Sequence, residues 1–317
     1  MKLAFIATVL SASAALTFAQ DHRPALGESA GTVPVKMIVT VESLRGAEIP
    51  PIAREQVAAF RDPDTKLPVT GWIPLGGKNA GENASLDLYI FIDEGASPNL
   101  GNQLDEVRRF VSLLPESASV GVAYMRNGSI DLAQFPVKDH ARAVQAIRMP
   151  AGTASAMANP YHSLSDLINC GTKCWQPESL REVVMITDGI DRFESIGYDN
   201  VYVTTAIADA QRNGVIVYSM YAAGSGHSSH SPALIHWGQL YLAQVAEETG
   251  GEAFAEPAGS FQPYLTDLSA HLANQYLVTF LAKPAKEFQP IRFAVRTPDV
   301  ELVAAHGFYL KAIPSED

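Results

Sequence analysis

Two cysteines in 317 residues exclude a scaffold built from disulfides, and both fall in one short span, Cys170-Gly-Thr-Lys-Cys174. In an exported chain such close cysteines are expected to form a local disulfide that staples a loop. A zinc site would need two further ligands beside them. Basic residues are scarce as well: 23 Lys and Arg stand against 34 Asp and Glu, for a net charge of -11. No Lys/Arg cluster supplies the basic surface that a nucleic-acid partner requires, so that class is excluded. The chain also lacks a Gly-rich phosphate loop and a paired acid/base motif, which argues against an enzyme.

Long apolar runs are missing outside the N-terminus, so no membrane span is expected after it. The first residues, MKLAFIATVLSASAALTFAQ, carry one cation, Lys2, then an apolar stretch, then the small-residue end Thr17-Phe18-Ala19. This order is that of a signal peptide, residues 1–19, cleaved before Gln20. An uncleaved anchor is the alternative, disfavoured by Ser11 and Ser13. No cysteine near Ala19 suits lipid attachment. Export to the periplasm, the cell surface or the medium is the expectation.

What is present is a regular alternation. LDLYIFID (Leu86 to Asp93), REVVMITDG (Arg181 to Gly189) and VIVYSMYA are apolar runs that read as strands covered on both faces. Between them lie helical patterns: NQLDEVRRFVSLL, NPYHSLSDLINC with an early Pro160, VYVTTAIADAQRNG closed by Gly214, and WGQLYLAQVAEETGG closed by Gly250. Asn127-Gly128 between two alternating runs is a hairpin signal. Such a pattern predicts an α/β fold, a doubly wound, mostly parallel sheet with helices on both faces.

The ends differ. VPVKMIVTVES (Val33 to Ser43) alternates, as do QYLVTFLAK, PIRFAVRT and VELVAAHGFYL. Strands from both termini are expected to pair into a small antiparallel β-unit. Leu67 to Ser85, rich in Pro, Gly and Asn, reads as a connector. The expected divisions are residues 20–83, an α/β domain over 84–278, and C-terminal strands over 279–317.

FIDEGAS at one strand end, the later AGTAS, and MITDG at another strand end come in this order on alternating elements. In this they resemble the von Willebrand factor A-like domain, whose ion site uses an Asp-x-Ser-x-Ser loop, a Thr and an Asp. With the alternating flanks and the closing HGFYL, the chain is similar to the exported "VWFA-related" proteins of acidobacteria. The resemblance implies a metal-ion-dependent adhesion site for Mg²⁺ or Mn²⁺, with Asp93 as the first Asp, Ser97 as the second Ser, Thr153 as the Thr and Asp188 as the later Asp. Gly95 departs from it, since glycine stands where the first Ser would be and a water would have to replace that hydroxyl. The same side chains can instead cap helices or bind loop amides.

The resemblance implies a non-enzymatic module that binds a protein or peptide through loops at the strand ends. In the stretch IDRFESIGYDN after Asp188, Phe193 and Tyr198 are candidate aromatic contacts on that pole, with packing under the loop as the alternative. Two alternatives stand beside the binding module. One is a hydrolase using His227, His230 and His236 in GSGHSSHSPALIH, although Gly224-Ser225-Gly226 misses the Gly-x-Ser-x-Gly elbow between a strand and a helix. The other is a structural protein with a vestigial site.

Overall fold

A computed structural model describes residues 31–46, 49–62, 65–76, 85–152, 158–194, 196–225, 230–255 and 259–310. The signal-peptide expectation for residues 1–19 lies outside them. The chain opens with β1 (Val33–Ser43), β2 (Val57–Asp62), β3 (Thr65–Leu67) and β4 (Val69–Pro74). Alternation follows: β5 (Leu86–Asp93), α1 (Gly101–Leu113), β6 (Ala118–Arg126), β7 (Ser129–Val137), α2 (His140–Ala146), α3 (Pro160–Asn169), β8 (Leu180–Thr187), α4 (Val201–Asn213) and β9 (Val215–Tyr221). It continues through α5 (Pro232–Thr249), β10 (Ala253–Phe254) and α6 (Gln262–Ala273). The chain then returns to strands: β11 (Gln275–Ala282), β12 (Ala285–Pro290), β13 (Arg292–Val295), β14 (Val300–Val303) and β15 (Gly307–Leu310).

The apolar runs make a six-stranded sheet in the order β10-β9-β8-β5-β6-β7. Its first five strands are parallel and β7 is antiparallel. The reversal occurs at Asn127 and Gly128, both with positive φ (53° and 74°), as a two-residue turn between twisted strands requires. On one face Leu88, Ile90 and Ile92 pack with Leu104 and Val107 of α1, Ala143 of α2 and Leu265 of α6. On the other, Tyr89 and Phe91 pack with Leu164 of α3, Val203 of α4 and Tyr241 of α5. Alternate residues of β5 thus serve two cores, which is why its sequence shows no polar face.

Local chemistry fixes the helix ends. Asn159 and Asn200 accept backbone N–H bonds at the starts of α3 and α4, and Gly214 and Gly250 close α4 and α5 in the left-handed conformation. Helix α5 begins at Pro232, five residues before the Trp237 at which the helical pattern was expected to start. Proline at the first helical position favours that earlier start, so PALIH is helix and the histidine loop is shorter than its sequence suggests.

Strands from both ends pair as expected. One antiparallel sheet has the order β14-β1-β11-β4, another β13-β2-β3, and β12 pairs with β15. Val35, Val39, Ala59, Val278, Phe280, Phe293 and Phe308 share their core. Two differences stand out. The stretch expected to be a connector contains β4, in register with β11 from Tyr276↔Pro74 to Phe280↔Val69, and Trp72 stacks on Tyr276 at 4.4 Å. Of its prolines, Pro68 precedes β4 and Pro74 ends it, on an edge strand where a missing N–H is tolerated. Second, β11 straddles residue 278, the expected domain limit.

At the amino end of β5, Cys170 and Cys174 form a disulfide. That loop and the turn after it are held by β5: the Tyr89 hydroxyl donates to the Cys174 carbonyl at 2.7 Å, and beyond the disulfide Asp87 accepts from the Gln176 N–H at 2.8 Å and the Ser179 hydroxyl at 2.7 Å. Closing so short a loop is worth roughly 2 kcal/mol in the chain-entropy account. The double substitution Cys170→Ser/Cys174→Ser is therefore expected to lower unfolding free energy by about that amount. Urea unfolding of both proteins checks it, and an unchanged midpoint contradicts it.

Candidate functional site

Parallel strands β5 and β8 end beside one another, and each ends in polar chemistry. Asp93 is the last residue of β5; Thr187 closes β8 and Asp188 follows it. All three are buried, with Asp93 5% and Asp188 2% exposed. The Thr187 hydroxyl donates to Asp93 Oδ2 at 2.6 Å, and the Gly95 N–H donates to Asp93 Oδ1 at 2.7 Å. Burial foremost, and then the nearby Asp188 carboxylate, push the Asp93 carboxyl up to about 6, against the opposing pull of the Thr187 and Gly95 bonds and Arg192. Two buried acids therefore stand near one another at the adjoining strand ends.

The turn after Asp188 is built around close backbone packing. Gly189 has φ +69°, and a Cβ there would lie 2.5 Å from the Gly238 carbonyl oxygen of α5. Within this turn Asp188 Oδ1 accepts the Ile190 N–H at 3.0 Å, and Asp188 Oδ2 is paired with Arg192 Nη2 at 3.0 Å. Asp191, also buried, accepts from the Asn159 and Asn200 side-chain amides, each at 2.8 Å, and from the Phe193 N–H at 2.8 Å.

Three loops close over this base. The Ser97 N–H donates to the Ala223 carbonyl at 2.8 Å, and the Ser225 N–H to the Gly95 carbonyl at 3.0 Å. The Ser225 hydroxyl reaches the Gly152 carbonyl at 2.5 Å, and the Gly152 N–H donates to the Glu94 carbonyl at 3.0 Å. Glu94 turns away from Asp93: its carboxylate pairs with Arg148 and accepts the Ala151 N–H at 2.7 Å. Burial raises the Glu94 carboxyl, but the Arg148 and Ala151 bonds together outweigh it and the net shift is downward. The loops of 93–97, 148–152 and 222–225 thus form one laced surface.

Of the residues expected to form the ion site, Asp93 and Asp188 come together. Ser97 lies in the same loop, where its hydroxyl accepts the Asn99 N–H at 3.3 Å and caps a short turn. Thr153 lies outside the described residues, as does His227. Gly95 contributes its backbone only, through the N–H to Asp93 and the carbonyl to Ser225. His230 and His236 are both exposed, and neither has a carboxylate partner among the described residues. No group of three His, Cys, Asp or Glu side chains suited to a metal occurs among the described residues.

Phe193 and Tyr198 divide. Phe193 packs against Tyr202 and His162, with ring centroids 5.5 and 6.4 Å away, and so supports the loop from beneath. Tyr198 is 84% exposed, with its ring edge-on to Trp237 at 4.9 Å. Sequence reasoning missed Thr187, Asp191, Arg192 and the Glu94–Arg148 pair. Only the Asp188-x-x-Asp191 spacing carried a signal that a second acid belongs to the turn.

Neither a protein-family model nor a curated protein sequence matches the chain. Among solved structures it is similar to the von Willebrand factor type A protein from Catenulispora acidiphila, with 9% identity over 90% of this chain and 75% of that one and a TM-score of 0.44. It is similar to an aerotolerance-related membrane protein from Bacteroides fragilis, with 16% identity over 59% of this chain and 98% of that one and a TM-score of 0.39. A third is the pilus adhesin SpaC from Lactobacillus rhamnosus GG in its open conformation: 8% identity, 73% of this chain, 44% of that one and a TM-score of 0.45. In this chain β5 is central in a mostly parallel sheet with helices on both faces, an α/β fold in which Asp93 and Asp188 stand at adjoining strand ends.

Proposed function

We propose that the chain is an exported, non-enzymatic binding module that recognises a protein or peptide through the loops at the carboxyl ends of its parallel strands. The observation that carries this reading is the laced surface itself: three loops, joined by hydrogen bonds, at the strand ends where two acids are buried, with the exposed Tyr198 in the stretch that follows Asp188. Surfaces of this kind, with loops on a rigid sheet, are where recognition concentrates. No helix among the described residues is long and apolar enough to cross a membrane.

Carboxylate and hydroxyl oxygens suit a hard divalent cation, so the donor types fit Mg²⁺ or Mn²⁺. Asp93 and Asp188 are like charges near one another, offset in part by Arg192, and a divalent cation would offset them further. In this reading Asp93, Ser97, Thr153 and Asp188 would hold the ion, which would offer an open position to a partner's carboxylate. In this reading the chain's own residues would orient that position, Thr187 through its bond to Asp93 and the Glu94–Arg148 pair through its hold on the loop around 151.

A peptide library displayed against the immobilised protein, with and without Mg²⁺, tests the proposal. Enrichment of acid-containing peptides, reduced about tenfold or more by Tyr198→Ala or Asp93→Ala, is expected for a contact at the centre of an interface. Enrichment indifferent to both substitutions, or none at all, sinks it.

A further inference from the structure

The Asp188 carboxylate already has a cation. Arg192 reaches it from four residues on, with Nη2 3.0 Å from Oδ2, and its side chain is only 10% exposed. The same guanidinium donates through Nη1 to the Ile190 carbonyl at 3.2 Å. Ile190 also returns its N–H to Asp188 Oδ1 at 3.0 Å. The arginine is therefore fixed by the turn that presents the acid. That turn is anchored in its own right by Asp191, through Asn159, Asn200 and the Phe193 N–H.

Each carboxylate oxygen of the pair accepts a hydrogen bond. Asp93 takes Gly95 and Thr187, and Asp188 takes Ile190 and Arg192. Three of these donors are neutral and can yield to an ion at little electrostatic cost. The fourth is a full positive charge, sealed from screening by its burial. A divalent ion between Asp93 and Asp188 would face that charge at close range, and would have to break a buried ion pair to gain the Asp188 oxygen.

We propose that Arg192 is the resident cation of the strand-end site: it satisfies Asp188 in place of a divalent metal, and Mg²⁺ or Mn²⁺ enters only by displacing it. The inference deepens the reading above, since it takes the same strand ends as the ion site. It assigns ion selectivity to a residue outside the expected ligand set. Affinity for hard divalent ions follows the net negative charge of the site. With Arg192 in place that charge is lowered by one, so metal binds weakly.

Mn²⁺ titration of the mature protein, followed by loss of the free-ion electron paramagnetic resonance signal, reads this directly. Arg192→Gln keeps a donor and removes the charge. It is expected to tighten Mn²⁺ binding about tenfold or more, and the gain should vanish in Arg192→Gln/Asp188→Asn. If Arg192→Gln unfolds, the side-chain Nε–Hε resonance of Arg192 in the native protein gives the second measurement. It should shift on saturation with Mg²⁺, as the guanidinium leaves Asp188.

Equal or weaker Mn²⁺ binding by a folded Arg192→Gln overturns the proposal. So does tight Mg²⁺ binding that leaves the Arg192 resonance unmoved. These readouts involve ions alone. A failed peptide selection with a positive Mn²⁺ result therefore discards the binding role and keeps Arg192, and the reverse pattern does the opposite.

Discussion

Asp191→Ala is expected to be among the most destabilising single substitutions in this protein, at roughly 3–5 kcal/mol, because one buried carboxylate organises two helix starts. Asp191 Oδ1 accepts the Asn159 amide and Oδ2 the Asn200 amide, each at 2.8 Å. Those amides are then turned so that Asn159 Oδ1 caps α3 through the His162 N–H, and Asn200 Oδ1 caps α4 through the Tyr202 and Val203 N–H groups. Removing the acid strands two buried amide donors, each costing about 1–3 kcal/mol, and loosens two caps worth about 1 kcal/mol apiece.

Asp191→Asn is a milder test. It preserves one acceptor oxygen but opposes an amide donor to another donor, so about half the loss is expected. Urea unfolding at neutral pH measures both. A loss below about 1 kcal/mol for Asp191→Ala would show that water replaces the carboxylate and that the caps are independent of it. The same substitution frees the turn bearing Arg192, so it should also raise Mn²⁺ affinity, although less than Arg192→Gln does.

The α/β layout was legible because burial on two faces leaves a direct mark. Tyr89 and Phe91 point to one core while Leu88, Ile90 and Ile92 point to the other, and a strand that must satisfy both is apolar between the acids near its two ends, Asp87 and Asp93. The Asn127-Gly128 turn and the glycines closing α4 and α5 were legible for a different reason, since their backbone angles are ones few other residues adopt. Strand β4 escaped notice because Pro68 and Pro74 bracket a short run whose partner, β11, lies some 200 residues away along the chain. Its stability comes from Trp72 on Tyr276 and from the Trp72 indole bonded to the Ile52 carbonyl, neither of which has a local signature.

The site was legible by halves on the same principle. Acids that end apolar strands are conspicuous, so Asp93 and Asp188 could be singled out. What each acid is bonded to depends on which loops meet. Glu94 is the plain case: beside Asp93 in sequence, it is aimed at Arg148, 54 residues on, and at the Ala151 N–H. Arg192, four residues past Asp188, could have been suspected from spacing, but only on a helix does that spacing fix proximity. Here the non-helical turn sets it, and that turn depends in its own right on two asparagines, the caps of α3 before it and α4 after it.

Glu182 carries the second large effect, and its sign follows from burial. The residue is fully buried on β8, with Oε1 accepting Gln275 Nε2 at 2.6 Å while Oε2 has no hydrogen-bond partner among the described residues. Gln275 also donates to the Tyr218 hydroxyl at 3.0 Å, so the joint between β8, β9 and β11 is held by an amide shared between an acid and a phenol. Desolvation drives the Glu182 carboxyl up from 4.5 to about 8, the Gln275 bond opposing only in part. A carboxyl raised in the fold favours the protonated form, so the native state holds more protons than the unfolded chain between those two values. Its contribution is complete below pH 4.5 and falls as pH rises, until it is lost above about 8. The swing is on the order of 3–5 kcal/mol. Asp93, raised in the same direction, adds to the slope at lower pH. Glu182→Gln removes the ionisation and keeps the acceptor for Gln275, at the cost of an unpartnered N–H of about 1 kcal/mol. The variant should therefore be slightly less stable than the native protein at pH 5 and more stable by roughly 2–3 kcal/mol at pH 9, so that their stability curves cross. Urea unfolding across that range decides it: parallel curves would mean that Glu182 is reached by water or balanced by charge when it ionises.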